Sequence, residues 1–273
     1  MKTVYVTPDN PFSKSAHEVR LAVGKDICKF IKDKTSPYVH KPENLLINWG
    51  SKGVHVSGYA KEGPVINPTA LIKAMDARAR LYAFWTKAGV RCPKVYESKG
   101  ESQKALKSGK TLLVRAKTKQ GDGADIVYNP PEAGLDAVFA PFSTSFVCEY
   151  IPKTFEYRIH IFRDQVIAVE QKVAMTKDDT DKAVDQKFLD WRIRSRRNGF
   201  MWTPVDTGAV SPEVITEAKK AAKSLKDFTF GAVELVYSSS KEQATVIDID
   251  GGPILYDSKV SEAYARAIRT LAE

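Results

Sequence analysis

Cysteine is scarce: Cys28, Cys92 and Cys148 are the three in 273 residues. An odd number set so far apart excludes a disulfide framework and a C-x-x-C zinc half-site, and fits a reducing compartment. No apolar run approaches the roughly 18 residues that cross a bilayer, and the opening segment MKTVYVTPDNPF lacks the apolar core of a signal peptide. The expectation is a soluble, cytoplasmic chain without a membrane partner. Motifs are missing too: there is no H-E-x-x-H, no G-x-S-x-G and no kinase H-R-D or D-F-G set. Gly109-Lys110-Thr111 imitates the end of a P-loop, but Lys104 stands where the first glycine would be required.

What is present is ordinary globular material, 43% hydrophobic and 27% charged, enough for a sizeable core in one large domain or two to three lobes. Lys and Arg number 42 against 33 acids, a net charge of +9. That surplus favours polyanions through counterion release, so a basic nucleic-acid-binding protein is one reading. The charges alternate in sign along most of the chain, which is also the look of a solvated surface.

Several segments carry boundary signals. Ser15-Ala16-His17-Glu18 has capping-box spacing, and Leu21, Cys28 and Ile31 continue it, which predicts a helix to about Lys34. Leu45 to Trp49 reads as a short buried strand. Asn67-Pro68 places a cap and an N1 proline before Leu71, Ile72, Met75, Ala79 and Tyr82, one helix face ending near Gly89. Thr111 to Arg115 and Ile126 to Tyr128 read as a hairpin with a glycine-rich tip. In the strand through Glu156, Arg158 and His160, period-2 alternation puts all three on one face, where they must meet a ligand, a partner or solvent. His160 reads as a satisfied strand residue rather than a base. Val166 to Val173, Gly231 to Tyr237 and Thr245 to Asp250 are further strands, Ser211-Pro212 caps a helix to Leu225, and a closing helix carries Val260, Tyr264, Ile268 and Leu271.

The chemistry is concentrated in acids set inside apolar runs. Asp248 and Asp250 share a face at the end of a hydrophobic strand, and Glu234 interrupts Ala232-Val233-Leu235-Val236. Buried together, such carboxylates repel unless a cation joins them, and Mg²⁺ suits oxygen donors that leave positions open for phosphate. Otherwise they are solvent-exposed acids beside a turn. Cations for the opposite wall are Arg115 at the end of an apolar strand and Lys172 on another. The loop Lys117 to Gly123 adds Lys117, Gly121 and Gly123, either a phosphate cradle or an ordinary hairpin tip. Arg192, Arg194 and Arg196 recur with period 2, an anion-binding row or a solvated edge strand.

In this order the features resemble the ATP-grasp superfamily, in particular the carboxylate-amine ligases of tailed phages, which are distantly similar to the ligase that adds glutamates to a ribosomal protein. The resemblance runs from about Asn48 to Pro253, through Asn48-Trp49-Gly50, Asn67-Pro68-Thr69 and Glu156-Tyr157-Arg158-Ile159-His160-Ile161-Phe162, the last similar to an E-Y-R-V-H-V-F segment. It implies an α/β fold of α+β lobes holding nucleotide between them behind a small N-terminal lobe, with lobes at 1–75, 76–148 and 149–273. It places the nucleotide contacts on Arg80, Arg115, Lys117, Gly121, Gly123, the hinge Glu149-Tyr150-Ile151, and Glu156 for the ribose. Metal ligation falls on Glu234, Asp248 and Asp250, and catalysis on Arg158, Lys172, Arg192 and Arg194. The implied cofactors are ATP and two Mg²⁺, the substrates a small-molecule or peptide carboxylate and an amine, with a homodimer as the common assembly. Where the family has G-A-V-D and E-V-N-x-x-P, this chain has Gly231-Ala232-Val233-Glu234 and Asp248-Ile249-Asp250-Gly251-Gly252-Pro253. The exchanged acid lengths keep oxygen donors but leave open a nucleotide-binding regulator with altered catalysis.

Overall fold

The computed structural model describes residues 3–10, 12–31, 36–116, 126–128, 145–176 and 192–273. Three four- or five-stranded sheets follow one another along the chain. The first is parallel, in the order β2-β1-β3-β4, from β1 (Val4–Pro8), β2 (Cys28–Phe30), β3 (Leu45–Trp49) and β4 (Val65–Ile66). Its near-continuous apolar strands suit a sheet covered on both faces. Between β1 and β2, α1 (Lys14–Val23) starts where Ser13 Oγ accepts the Ala16 N–H and stops at Gly24, whose φ of 113° ends the helix. The helix predicted to Lys34 is therefore two elements. Leu21 is solvent-exposed while Cys28 is buried in β2, so their spacing did not mark one helical face.

After α2 (Val54–Tyr59), the single helix expected from Asn67 is broken at Ala77 (φ −83°, ψ 69°) into α3 (Thr69–Asp76) and α4 (Arg78–Lys87), and Pro68 is the cap rather than the first helical residue. Asn67 itself takes φ 55°, and its buried amide accepts the Thr229 N–H and donates to the Phe230 carbonyl at 2.7 Å, tying this junction to the large sheet described next.

The second sheet is antiparallel, order β5-β8-β6-β7, built from β5 (Val95–Tyr96), β6 (Leu112–Ala116), β7 (Ile126–Tyr128) and β8 (Ser145–Glu149), with α5 (Lys99–Lys107) after β5. The hairpin read from the sequence is the β6–β7 pair; its glycine loop lies outside the described residues. The third is antiparallel, order β11-β10-β9-β12-β13, from β9 (Phe155–Phe162), β10 (Gln165–Ala174), β11 (Phe200–Pro204), β12 (Phe230–Ser238) and β13 (Gln243–Asp250), with α6 (Pro212–Ser224) and α7 (Ser258–Ala272). Arg192 to Arg196 form no strand: a turn leads into a short 3₁₀ helix at Arg196–Asn198. No helix among the described residues is long and apolar enough to cross a membrane.

One face of the third sheet carries Tyr157, Ile159, Val233, Leu235, Val246 and Ile249 into a core with α6 and with Leu81, Tyr82 and Trp85 of α4. Val246 and Ile249 share that face although three residues apart, because Glu234 pairs with Asp248 while Leu235 pairs with Val246, leaving Ile247 as a β-bulge. At one end of the other face, Phe162 and Phe230 pack with Trp49 of the first sheet and Tyr264 of α7.

The turn after β13 presses on the first sheet. A Cβ on Gly252 would lie 2.6 Å from the Trp49 carbonyl carbon and 2.7 Å from Gly50 N, backbone atoms that cannot swing aside. Gly252→Ala is expected to cost about 1–3 kcal/mol in a denaturant melt, whereas Gly58→Ala, with nothing within 4 Å, should melt at or slightly above wild type.

Candidate active site

The polar end of that second face opens into a cavity of about 300 Å³ between the second and third sheets, roofed by the start of α4. One register row crosses four adjacent strands: Glu170 on β10, Arg158 on β9, Glu234 on β12 and Asp248 on β13 lie side by side. Opposite charges placed directly across a sheet attract, and the row is bonded accordingly. Arg158 Nη2 donates to Glu234 Oε1 at 2.7 Å, and its Nη1 lies 3.8 Å from Glu170 Oε2. Arg78, the first residue of α4, donates Nε and Nη2 to Asp248 Oδ2 at 3.2 and 2.9 Å. In the next row Lys172 donates to Glu156 Oε1 at 2.7 Å, and Lys153 reaches its other oxygen at 2.8 Å.

The electrostatics follow from burial set against these partners. Burial alone would raise the Glu156 carboxyl, but Lys172 and Lys153 outweigh it and hold it down at about 2. Burial disfavours the Arg158 charge, yet Glu234 and Glu170 hold its pKa above the usual guanidinium value. Burial lowers His160, against the pull of Glu170, so the imidazole is neutral. Trp202 on β11 offers its ring to two cations, with Arg158 Cζ at 4.4 Å and Lys172 Nζ at 4.2 Å from the centroid. Across the cavity, Arg115 Nη1 donates to Tyr82 Oη at 2.6 Å and to the carbonyl of the bulged Ile247 at 3.0 Å. Tyr82 O–H donates to the same carbonyl at 2.6 Å. The bulge thus turns outward the carbonyl that seats Arg115. Among the described residues, eight cationic and five acidic side chains line the cavity, a positive balance suited to an anionic ligand.

No family model matches the sequence, and no curated protein matches it either. Solved structures do. The ATP-grasp ligase PsnB, complexed with a minimal precursor, matches with a TM-score of 0.69 over 100% of both chains at 11% identity. The RimK domain protein ATP-grasp from Sphaerobacter thermophilus DSM 20745 matches with a TM-score of 0.62 over 97% of this chain and 98% of its own at 13% identity. The chain has the ATP-grasp fold. D-alanine–D-alanine ligase from Bacillus anthracis, complexed with ATP, matches at TM-score 0.69 and 10% identity over 100% of this chain and 96% of its own.

Within this ATP-grasp fold the cavity gathers Arg115, Glu149, Tyr150, Ile151, Glu156, Arg158, Lys172, Arg192, Arg194, Glu234, Asp248 and Asp250 on its walls. Lys117, Gly121 and Gly123 lie outside the described residues. Arg80 is exposed on α4 and is not among the residues that line the cavity; the cation that the helix presents there is Arg78. The signal was available, because Arg78, Tyr82 and Trp85 follow helical spacing and put Arg78 on the buried face. The N–H groups of Glu149 and Tyr150 donate to the Lys94 and Thr111 carbonyls, at 2.8 and 2.9 Å. The Glu156, Arg158, His160 face is buried yet needs no outside partner over most of its length, since β10 supplies Glu170 and Lys172 opposite it. Glu170 was missed, although it is an acid inside an apolar run, the same signal that marks Glu234.

Among the described residues no three His, Cys, Asp or Glu side chains converge as a metal cage. Glu234, Asp248 and Asp250 share one wall, but Arg158 holds the first and Arg78 the second, while Asp250 Oδ1 accepts the Gly252 N–H at 3.0 Å. Mg²⁺ commonly takes one or two carboxylates and completes its shell with water and phosphate, so these hard oxygens fit it without a three-carboxylate cage.

Proposed function

We propose that the chain is an ATP-dependent ligase that converts a substrate carboxylate to an acyl phosphate and joins it to an amine, releasing ADP and phosphate. The observation that carries this reading is the meeting, in one cavity of an ATP-grasp fold, of Arg115 from the small antiparallel sheet with Arg158, Lys172 and the three carboxylates of the large one. The three sheets are read as lobes at 1–75, 76–148 and 149–273. Glu234, Asp248 and Asp250 would offer the oxygen donors for Mg²⁺, which when bound would supply positive charge against that of the transferring phosphoryl group.

The remaining work falls to side chains. Arg115, Arg78 and Lys172 clamp the phosphates. Arg158, Arg192 and Arg194 orient the carboxylate whose oxygen attacks the γ-phosphorus, since a planar guanidinium matches carboxylate and phosphate alike. The amine nitrogen then attacks the acyl carbon, phosphate leaves with the C–O electron pair, and the proton lost from nitrogen passes to the departing phosphate. PsnB is also known in complex with a precursor peptide, which supports a peptide among the acceptable substrates.

The test is an ADP-release screen of amino acids and short peptides as paired acid and amine donors. At least one pair should support turnover, and Asp248→Asn should lower it by about a hundredfold or more, the scale of losing an electrostatic transition-state contact. The arginines already bound to Glu234 and Asp248 favour a second reading, a nucleotide-binding regulator. Mg·ATP binding in calorimetry with no ADP release for any pair would select it. Affinity for DNA or RNA that falls steeply with salt and ignores Glu234→Gln would instead select the nucleic-acid reading.

A further inference from the structure

Arg158 has two counter-ions of different kinds. Glu234 lines the cavity, and its side chain is 18% exposed; Glu170 is fully buried at 0% and forms no part of the cavity wall. Glu170 Oε2 accepts from His160 Nε2 at 2.8 Å, and His160 Nδ1 lies 3.0 Å from Tyr264 Oη. Burial keeps the Tyr264 phenol protonated, so its O–H donates to Nδ1, which leaves the proton of the neutral imidazole on Nε2, directed at Glu170. The other carboxylate oxygen, Oε1, finds no hydrogen-bond donor among the described residues. A carboxylate buried with one oxygen unsatisfied carries a desolvation cost that an apolar residue would avoid. What it supplies in return is a fixed negative charge 3.8 Å from Arg158 Nη1.

The guanidinium is held along one edge by contacts that do not involve Glu234. Nη1 donates to the Ile254 carbonyl at 3.1 Å and faces Glu170, and the plane rests on Trp202. Its other edge, Nε and Nη2, is the one spent on Glu234. We propose that Glu170, backed by His160 and Tyr264, is a positioning residue for Arg158. It acts as a permanent counter-ion that keeps the guanidinium in place when Glu234 is drawn to the metal–nucleotide complex and the Nε–Nη2 edge is released to an incoming phosphate or carboxylate. The functional consequence rests on the ligase reading; the positioning itself does not.

The experiment is a double-mutant cycle read in two ways. In calorimetry with Mg·ATP, Glu170→Gln should weaken binding about tenfold in the otherwise unchanged chain and less than about twofold in an Arg158→Met background, because its effect passes through Arg158. In fluorescence without nucleotide, Glu170→Gln should move the Trp202 emission in the same direction as Arg158→Met, the signal being assigned by its disappearance in Trp202→Phe. Equal losses in both backgrounds, with Trp202 emission at the wild-type value, would show a merely structural role and overturn the proposal. If the unaltered chain does not bind Mg·ATP, the ligase reading fails, and the emission arm alone decides the positioning. Should Glu170→Gln not fold, His160→Gln keeps the charge but removes its anchor, and must show the same coupling and emission shift at smaller size.

Discussion

Glu156→Gln is expected to cost about 3–5 kcal/mol of folding stability, the scale for removing one partner of a buried ion pair. Glu156 is 3% exposed and lies between Lys172 and Lys153, whose side chains are themselves nearly buried. The amide would leave two ammonium groups out of water with no opposing charge. The Trp202 ring near Lys172 offsets part of this, which points to the lower end of the range. In a chain of this size that corresponds to a drop of about 10 °C in Tm. The pH dependence has a definite sign. The carboxyl is held below its ordinary 4.5, at about 2, so its contribution is complete above pH 4.5 and is lost as the pH falls toward 2. Acid titration of stability should therefore be shallower through that window in Glu156→Gln than in wild type. Equal midpoints and equal slopes would mean that the two lysines are solvated.

Arg115→Met should reduce Mg·ATP affinity by about 30-fold or more, in line with the 2–5 kcal/mol lost when one partner of a desolvated charge contact is truncated. Stability should fall less than affinity, because two of the groups Arg115 contacts keep a partner. Tyr82 O–H donates to the Ile247 carbonyl independently of Arg115, so neither group is orphaned when the guanidinium goes, and methionine fills the space with apolar atoms. A calorimetric titration paired with a thermal melt separates the two effects. Unchanged affinity would remove Arg115 from the phosphate clamp.

Much of the site was readable in the chain because β-strands turn sequence into geometry directly. Alternation with period 2 places Glu156, Arg158 and His160 together, and an acid inside an apolar run marks Glu234 and Asp248 without reference to anything distant. Helical placement was less secure. The motif pointed to Arg80, whereas the spacing to Tyr82 and Trp85 puts Arg78 on the face that meets the cavity. The arginine row at Arg192 to Arg196 reached the cavity from a turn and a 3₁₀ helix rather than from a strand.

The sequence by itself determined which residues carry charge into apolar surroundings and the strand periodicity that groups them. Only the tertiary structure decided the partners: Arg78 for Asp248, Arg158 for Glu234 and Glu170, two lysines for Glu156. The physical reason is that pairing depends on register between strands far apart in the chain and on a single bulge at Ile247. A slip of one residue along a strand would turn that strand's charged side chains to the opposite face.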